Sequence, residues 1–340
     1  MMKHVIQAVI NGENLDFETA KTVMNAMMDG TATQAQIGAL LTGLRIKGET
    51  VEEITACALV MREKGLKINP VRNVIDIVGT GGDGTKTFNI STTSAFVTAA
   101  GGVPVAKHGN RGVSSASGAA DVLESLGVNL NLTPKQNEII LEESNICFMF
   151  AQLYHNSMKY AAPVRKEMGV RTIFNILGPL ANPAGATIQL LGVYDRRLVE
   201  PLAQVLSNLG VVRGLAVNGG REGMDEATLT GATFICEIRH GKLNTYQITP
   251  EQLGFRRCTI DALLGGSPAE NAKITQDILA GRERGPKRDV VVLNSAMALY
   301  LGLDNCTLAD CINRAQNIID SGQAAAKLEQ FCRLTNEVAP

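Results

Sequence analysis

From Val5 to about Lys67 apolar residues recur every three or four positions, and Asn11-Gly12, Asp29-Gly30 and Lys47-Gly48 interrupt the pattern. The spacing predicts three short helices and an all-helical opening unit. At Asn73 the pattern changes to the β-branched run VIDIV, which ends at Gly79, and strand-like runs then alternate with helical ones. Strands are predicted at 74–78, 103–107, 146–150, 188–192, 214–218, 232–238 and 289–293. Helices are predicted at 92–100, 119–126, 134–144, 196–209, 268–279 and 295–301. Such alternation implies helices packed on a parallel sheet, so the fold class is α/β: a small all-helical domain plus a larger domain with a mostly parallel, helix-flanked sheet. One stretch, MKYAAPVRKEMGVRTIFNILGPLANP, breaks the alternation. It is helical in spacing up to Gly178-Pro179 and is expected to return to the helical unit before the sheet resumes at Ile188. Residues 1–70 and about 160–185 then form the helical domain, and 73–158 with 187–340 the α/β domain.

Composition narrows the function classes. The 340 residues are 45% hydrophobic and 19% charged, enough for a sizeable core divided between two domains. With 32 Lys and Arg against 33 Asp and Glu the net charge is −1, so no general field draws the chain to nucleic acid or an anionic membrane. Any anion site has to be local. No apolar run approaches the ~20 residues of a membrane span, and polar residues break MMKHVIQAVINGENLDF too early for a signal-peptide core. A cytoplasmic location is expected. The seven cysteines are scattered, odd in number and contain no C-x-x-C pair, which reads as reduced and mostly buried thiols.

Four segments hold candidate chemistry. In VIDIVGTGGDGTKTFNISTTSAFV an apolar strand ends in a glycine cluster, and a helix opens after Asn89-Ile90-Ser91-Thr92. Backbone amides at such a turn and at a helix start favour a phosphate, and Gly79, Gly81 and Gly82 let it approach closely. A tight turn with glycine for geometry alone is the plainer alternative, and the P-loop pattern is absent. In VPVAKHGNRGVSSASGAADVLESLG, Lys107, His108, Asn110 and Arg111 follow a strand at its carboxyl end, where open α/β sheets bind ligands. Ser114, Ser115 and Ser117 offer hydroxyls or a helix cap. In GGREGMDEATLTG the adjacent carboxylates Asp225 and Glu226 suit magnesium, a hard ion commonly shared with substrate phosphates, although an acidic pair in a loop is more often merely solvated. The fourth segment contains His155, Arg165 and Gly178-Pro179, and an arginine fork matches a carboxylate bidentately.

In order along the chain stand GTGGD at 79–83, FNIST at 88–92, KHGNR at 107–111, APVRKE at 162–167, RTIFNILGPLANP at 171–183, GMDE at 223–226 and LNSAMALYLG at 293–302. Together they resemble the anthranilate phosphoribosyltransferase family over nearly the whole chain. The resemblance implies a magnesium-dependent transfer of the phosphoribosyl group from phosphoribosyl pyrophosphate to anthranilate in tryptophan biosynthesis. By it, Gly79, Gly82, Asp83, Thr87, Asn89, Ile90, Ser91, Thr92, Lys107, Ser115 and Ala119 would cradle phosphoribosyl pyrophosphate. Ser91, Asp225 and Glu226 would hold Mg2+. Gly79, His108, Asn110, Arg165 and Pro179 would face anthranilate, with Arg165 on its carboxylate. Lys107 would stabilise the departing pyrophosphate, and His108 is a candidate proton acceptor. The family fold joins a helical domain to an α/β domain through passages near 70–75 and Gly178-Pro179, and usually dimerises through the helices. Three positions depart from the family pattern: Ala119 where Ser is common, Asn156-Ser157 in place of Pro-Ala, and Asn218 in place of His.

Two other readings share the fold. A pyrimidine nucleoside phosphorylase would release ribose 1-phosphate from a nucleoside, and its pocket residues differ from those here. A nucleic-acid-binding relative that has lost catalysis would need a basic groove, which a net charge of −1 does not support.

Overall fold

The computed structural model describes residues 1–112 and 116–338. Helices Met2–Ile10, Phe17–Met28, Gln34–Lys47 and Val51–Lys64 open the chain. They number four, where the spacing predicted three, because three glycine-containing breaks delimit four segments. Asp16, Thr33 and Thr50 each cap a helix by accepting from the backbone N–H three residues on. Glu53 in turn accepts from Thr50 N, completing a capping box. Its buried carboxylate also accepts from Leu15 N at 2.9 Å and from Lys47 Nζ at 2.9 Å, besides Thr50 N at 2.8 Å. One charge thus ties the first interhelical loop to the corner between the third and fourth helices.

Seven strands follow: β1 (Ile75–Gly79), β2 (Val105–Gly109), β3 (Ile146–Phe150), β4 (Ile188–Gly192), β5 (Arg213–Gly219), β6 (Thr233–Arg239) and β7 (Lys242–Ile248). They lie in the order β3-β2-β1-β4-β5-β6-β7, parallel from β3 through β5 and antiparallel from β5 to β7. Helices cover both faces of the parallel part, so β3 and β4 are buried at every position and read as continuous apolar runs. The edge strand β7 has no fully buried residue, and its polar KLNTYQI gave no strand signal in the sequence.

The strand predicted at 289–293 does not exist. Those residues lie inside the helix Pro286–Gly302, which also absorbs the helix predicted at 295–301. Pro286 starts it at a position where no N–H is needed. Every residue from Val290 to Leu299 is buried, so the helix is apolar all round and lacks the periodicity that would have distinguished it from a strand.

On one face of the sheet this helix packs with Ile90–Ala100 and the closing helices Leu308–Asp320 and Gln323–Glu337 around Phe96, Met297 and Phe331. On the other, Leu191, Leu202 and Leu206 share a core with Leu40, Ile54 and Met61 of the opening helices. The stretch that broke the alternation joins that second core through Val164, Phe174 and Leu177, on helices Ala162–Met168 and Phe174–Leu180. Arg62 fastens the junction by donating to the carbonyls of Leu180 at 2.7 Å and Leu209 at 2.9 Å.

Removing Glu53 leaves the amides of Leu15 and Thr50 without an acceptor and the Lys47 ammonium without its carboxylate partner, with only the Asn14 and Gly48 oxygens remaining to it. Breaking a buried pair from one side costs about 3–5 kcal/mol. Glu53→Ala is expected to lower the urea midpoint of the helical signal, and Glu53→Gln, which keeps an acceptor oxygen, to lower it less.

Candidate active site

Neighbouring strands β1 and β4 continue in opposite directions across the sheet, and the crevice beyond their carboxyl ends is where ligands of open α/β sheets lie. Gly79 and Gly192 sit side by side at those ends. After β5 the chain folds back through Gly219 and Met224, which exchange both backbone hydrogen bonds at 2.8 Å, and lays Asp225 across the two glycines. A Cβ on Gly79 would stand 2.2 Å from Asp225 Oδ2, and one on Gly192 would stand 1.6 Å from the Asp225 carbonyl oxygen. Both positions therefore require glycine for close approach. Gly81, Gly82 and Gly84 are different: their φ values of +70°, +74° and +78° belong to the turn itself.

The acidic loop is wired to both the glycine turn and the helix start that follows it. Gly81 N donates to Asp225 Oδ2 at 2.7 Å, and Ser91 N, at the start of the helix Ile90–Ala100, donates to Glu226 Oε1 at 3.1 Å. Asp83 accepts from Thr85 N at 3.1 Å and from Asp225 N at 3.3 Å, bringing a third carboxylate near the pair. Asp225 and Glu226 are walled in by protein but keep an accessible edge in the crevice. Burial, with the Asp83 charge added, pushes Asp225 up to about 7. Burial, with the Asp225 charge added, pushes Glu226 up to about 8. Crowded carboxylates of this kind call for a cation. No three His, Cys, Asp or Glu residues among those described are arranged to hold a metal unaided. Two carboxylates and the Ser91 hydroxyl fit instead an ion that keeps waters and takes further oxygens from substrate phosphates.

Lys107, on β2, is buried and points under the same loop, donating to the carbonyl of Ile77 and to Ser91 Oγ at 3.3 Å. Burial lowers its pKa, while Asp76, Glu226 and Asp225 oppose the fall. Nearby, the buried hydroxyl of Thr92 has no hydrogen-bond partner among the described residues. Ile90 opens this helix with its side chain in the core, while Thr87 bridges to Leu264. Asn89 receives Asn271 Nδ2 at 2.9 Å and donates to the Ser117 carbonyl at 3.2 Å, which fixes its amide beside the helix start. Ala119 starts the helix Ala119–Ser125, where Asp121 already accepts the amides of Gly112 and Gly118 at 2.8 Å each. Ser114 and Ser115 lie outside the described residues.

On the opposite wall, His108 Nδ1 lies 3.2 Å from the Gly178 carbonyl, and Gln189 Nε2 donates to the Pro179 carbonyl at 2.7 Å. The Gly178 and Pro179 carbonyls are thereby held by side chains of β2 and β4. His108 stacks edge-on against His155, ring centres 5.0 Å apart, and both Nε2 atoms are buried without partners among the described residues. Burial, then the His155 neighbour, pulls His108 down to about 3, and burial pulls His155 down to about 4. Both are neutral at pH 7. Arg165 lies over the Phe174 ring at 5.0 Å, and its guanidinium has no carboxylate partner among the described residues. Burial lowers its pKa. Asn110 is exposed and receives Arg111 N at 2.8 Å and Gln152 Nε2 at 3.4 Å. No hydrogen bond among the described residues joins Arg165 to the 107–110 segment.

Sequence reasoning passed over three residues that shape the site. Arg171 donates to the Gly82 carbonyl and lies over the Tyr194 ring at 4.5 Å, pinning the glycine loop to the stretch before Phe174–Leu180. Gly192 looked like an ordinary strand end. Asp76 accepts from His108 N at 3.3 Å, and burial raises it to about 6. A lone charge inside the apolar run VIDIV was its signal.

Comparison with known proteins agrees with this arrangement. The model of the glycosyl transferase family a/b domain matches residues 71–325, and that of the family's helical bundle domain matches residues 3–65. The chain is 58% identical to anthranilate phosphoribosyltransferase of Ruminiclostridium cellulolyticum over 99% of its own length and 98% of that protein's. It is 53% identical to the Methanobrevibacter smithii enzyme of the same name, covering 99% of this chain and all of the relative. The crystal structure of anthranilate phosphoribosyltransferase from Thermus thermophilus superposes with a TM-score of 0.92 at 42% identity, over 98% of this chain and 99% of that one. The Saccharomyces cerevisiae enzyme, solved in complex with phosphoribosyl pyrophosphate and Mg, gives 0.85 at 27% identity over 95% and 93%. With both of its parts matched and its length shared end to end, the chain belongs to the anthranilate phosphoribosyltransferase family.

Proposed function

We propose that this chain transfers the 5-phosphoribosyl group of phosphoribosyl pyrophosphate to the amine of anthranilate, giving N-(5-phosphoribosyl)anthranilate and pyrophosphate, with magnesium as cofactor. This is the second step of tryptophan biosynthesis from chorismate. The carrying observation is the Asp225–Glu226 pair, set between the glycine loop and a helix start with the buried cation Lys107 alongside. Such a site suits a polyanion that arrives with a divalent cation. The yeast relative solved with phosphoribosyl pyrophosphate and Mg supports the same choice.

The C1–O bond to pyrophosphate breaks as positive charge grows on the ribose, and the amine nitrogen forms the new C1–N bond and then loses a proton. Catalysis is chiefly positioning and electrostatics. Gly79, Gly82, Asp83, Thr87, Asn89, Ile90, Ser91, Thr92 and Lys107 surround the donor in this reading, with Ser115 and Ala119 from the second loop. Lys107 faces the charge on departing pyrophosphate. Ser91, Asp225 and Glu226 would hold magnesium, which would supply positive charge to the same leaving group. The amine is already a neutral nucleophile, so no strong base is needed to form the bond. His108, neutral and fixed on the Gly178 carbonyl, orients the acceptor or receives its proton. Gly79, Asn110 and Pro179 complete the acceptor pocket, and the half-buried Arg165 takes the carboxylate.

Donor and metal belong to residues 73–158 and 187–340, and the acceptor's outer wall to 1–70 with about 160–185. The helical unit is also the dimer contact in this reading: Ile10 and Ile46, on helices that pack together, are 62% and 81% exposed. A cytoplasmic homodimer completes this reading; no helix among the described residues is long and apolar enough to cross a membrane.

Asp225→Asn combined with Glu226→Gln is expected to lower turnover on the order of a hundredfold or more at ordinary magnesium, with an unchanged circular dichroism spectrum. Wild-type turnover would refute the metal assignment. Arg165→Ala is expected to raise the anthranilate KM, since a charge-assisted bond contributes roughly 1.5–3 kcal/mol, while the donor KM stays within about twofold. Steady-state kinetics with each substrate varied separates the two.

The histidine pair predicts a pH effect. A buried His155 with a folded value near 4, against about 6.5 unfolded, stabilises fully above pH 6.5, and that stability is lost as pH falls toward 4. Asp76, raised to about 6, acts with the opposite sign in both proteins and largely cancels in a comparison. His155→Gln is expected to flatten the dependence of stability on pH between 6.5 and 4.5 by up to about one proton, read from denaturant midpoints across that range.

A further inference from the structure

The motif LNSAMALYLG at 293–302 lies far along the chain from every residue assigned above and forms the carboxyl-terminal ten residues of the helix Pro286–Gly302. Its one amide, Asn294, is fully buried among Val, Leu and Ala. Asn is a poor residue for a helix interior, where an apolar side chain would pack better. Its partners account for its presence. Oδ1 accepts from Ala227 N at 3.1 Å, and Nδ2 donates to the Ala227 carbonyl at 2.9 Å. The second Nδ2 hydrogen goes to the Val290 carbonyl at 2.9 Å, which fixes the orientation of the amide. The side chain thus grips one residue's N–H and C=O together, as a neighbouring strand would.

Ala227 directly follows Glu226. On the other side of the pair, Met224 is held to Gly219 by two backbone bonds of 2.8 Å. Asp225 and Glu226 therefore form a two-residue arc between two fixed points, and only one of those points, Ala227, is supplied from another layer of the fold. Asp83, Asp225 and Glu226 crowd three carboxyl groups together, and a loop free to move would let them spread apart. Further down the loop, Thr228 N is tied to Thr233 Oγ1 at 3.0 Å, but that bond lies beyond Ala227 and does not set the carboxylates.

We propose that Asn294 is a positioning residue for the metal: by clamping Ala227 it holds the Asp225–Glu226 arc in its metal-binding shape before the ion arrives. The proposal rests on the reading of those two carboxylates as magnesium ligands. Groups that orient metal ligands without touching the ion change metal affinity by about 10- to 100-fold when removed. The amide does not meet substrate, so its loss acts on magnesium first and on the bound-state rate last.

The test is calorimetric titration of Mg2+ into the full-length protein saturated with phosphoribosyl pyrophosphate, together with kinetics over a range of magnesium. Asn294→Ser removes both contacts to Ala227, and Asn294→Asp keeps the acceptor but loses the donor. Val291→Ala, a cavity on the same helix that leaves Ala227 untouched, controls for loss of stability. Expected are an Mg2+ affinity weakened about tenfold or more in Asn294→Ser and less in Asn294→Asp, wild-type affinity in Val291→Ala, an unchanged anthranilate KM, and recovery of kcat at high magnesium. Wild-type Mg2+ affinity in folded Asn294→Ser, or equal weakening in Val291→Ala, overturns the proposal. So does failure of both Asn294 variants to fold while Val291→Ala folds, which would give the amide to the core alone. Asp225→Asn with Glu226→Gln, run in parallel, separates the levels: if it too binds Mg2+ normally, the metal reading itself has failed.

Discussion

The site depends on one steric allowance. Asp225 passes over the ends of β1 and β4, its carboxylate against Gly79 and its carbonyl against Gly192, at distances that leave no room for a Cβ on either glycine. Because the two strands are in register at these glycines, a single crossing puts the acidic loop against both, and against the turn that begins at Gly79. The glycine loop, the start of the helix Ile90–Ala100 and Lys107 then surround the same point, brought there by the ends of parallel strands. Moving the crossing outward by the width of a methyl group would separate the carboxylates from the Gly81 and Ser91 amides that hold them.

Charge is the second constraint. Three carboxylates and one lysine occupy a crevice where desolvation raises the Asp225 and Glu226 pair and lowers the base, so burial holds these groups away from their comfortable charge states. Such an arrangement is stable only when neighbouring parts of the fold fix it, and it gains from a divalent cation and a polyanion together more than from either alone. This is the behaviour expected of a site preorganised for charge that develops on a leaving group.

The two halves of the molecule share their packing. The second core runs from the opening helices through Val164 and Phe174 into the strand face at Leu191, and Arg62 crosses the junction to two carbonyls. Around the site the connections are finer. His108 and Gln189 hold the Gly178 and Pro179 carbonyls, and Arg171 holds the Gly82 carbonyl. Any movement of the 171–179 stretch therefore reaches both His108 and the glycine loop.

Where polarity patterns are local, the sequence was sufficient. The breaks between opening helices, the buried parallel strands and the glycine turn follow from apolar spacing, strand-end glycines and capping residues within a few positions of one another. It failed where burial erased the pattern: Val290 to Leu299 is apolar on all sides and was divided between a strand and a helix, and the polar edge strand β7 left no apolar run to read. The motifs named the chemistry but not the partners. That Asp225 lies on Gly79 and Gly192, that Asn294 grips Ala227, and that burial keeps His108 neutral are consequences of crossings between segments far apart in the chain. Such contacts depend on which strand lies beside which, and only the packed sheet decides that.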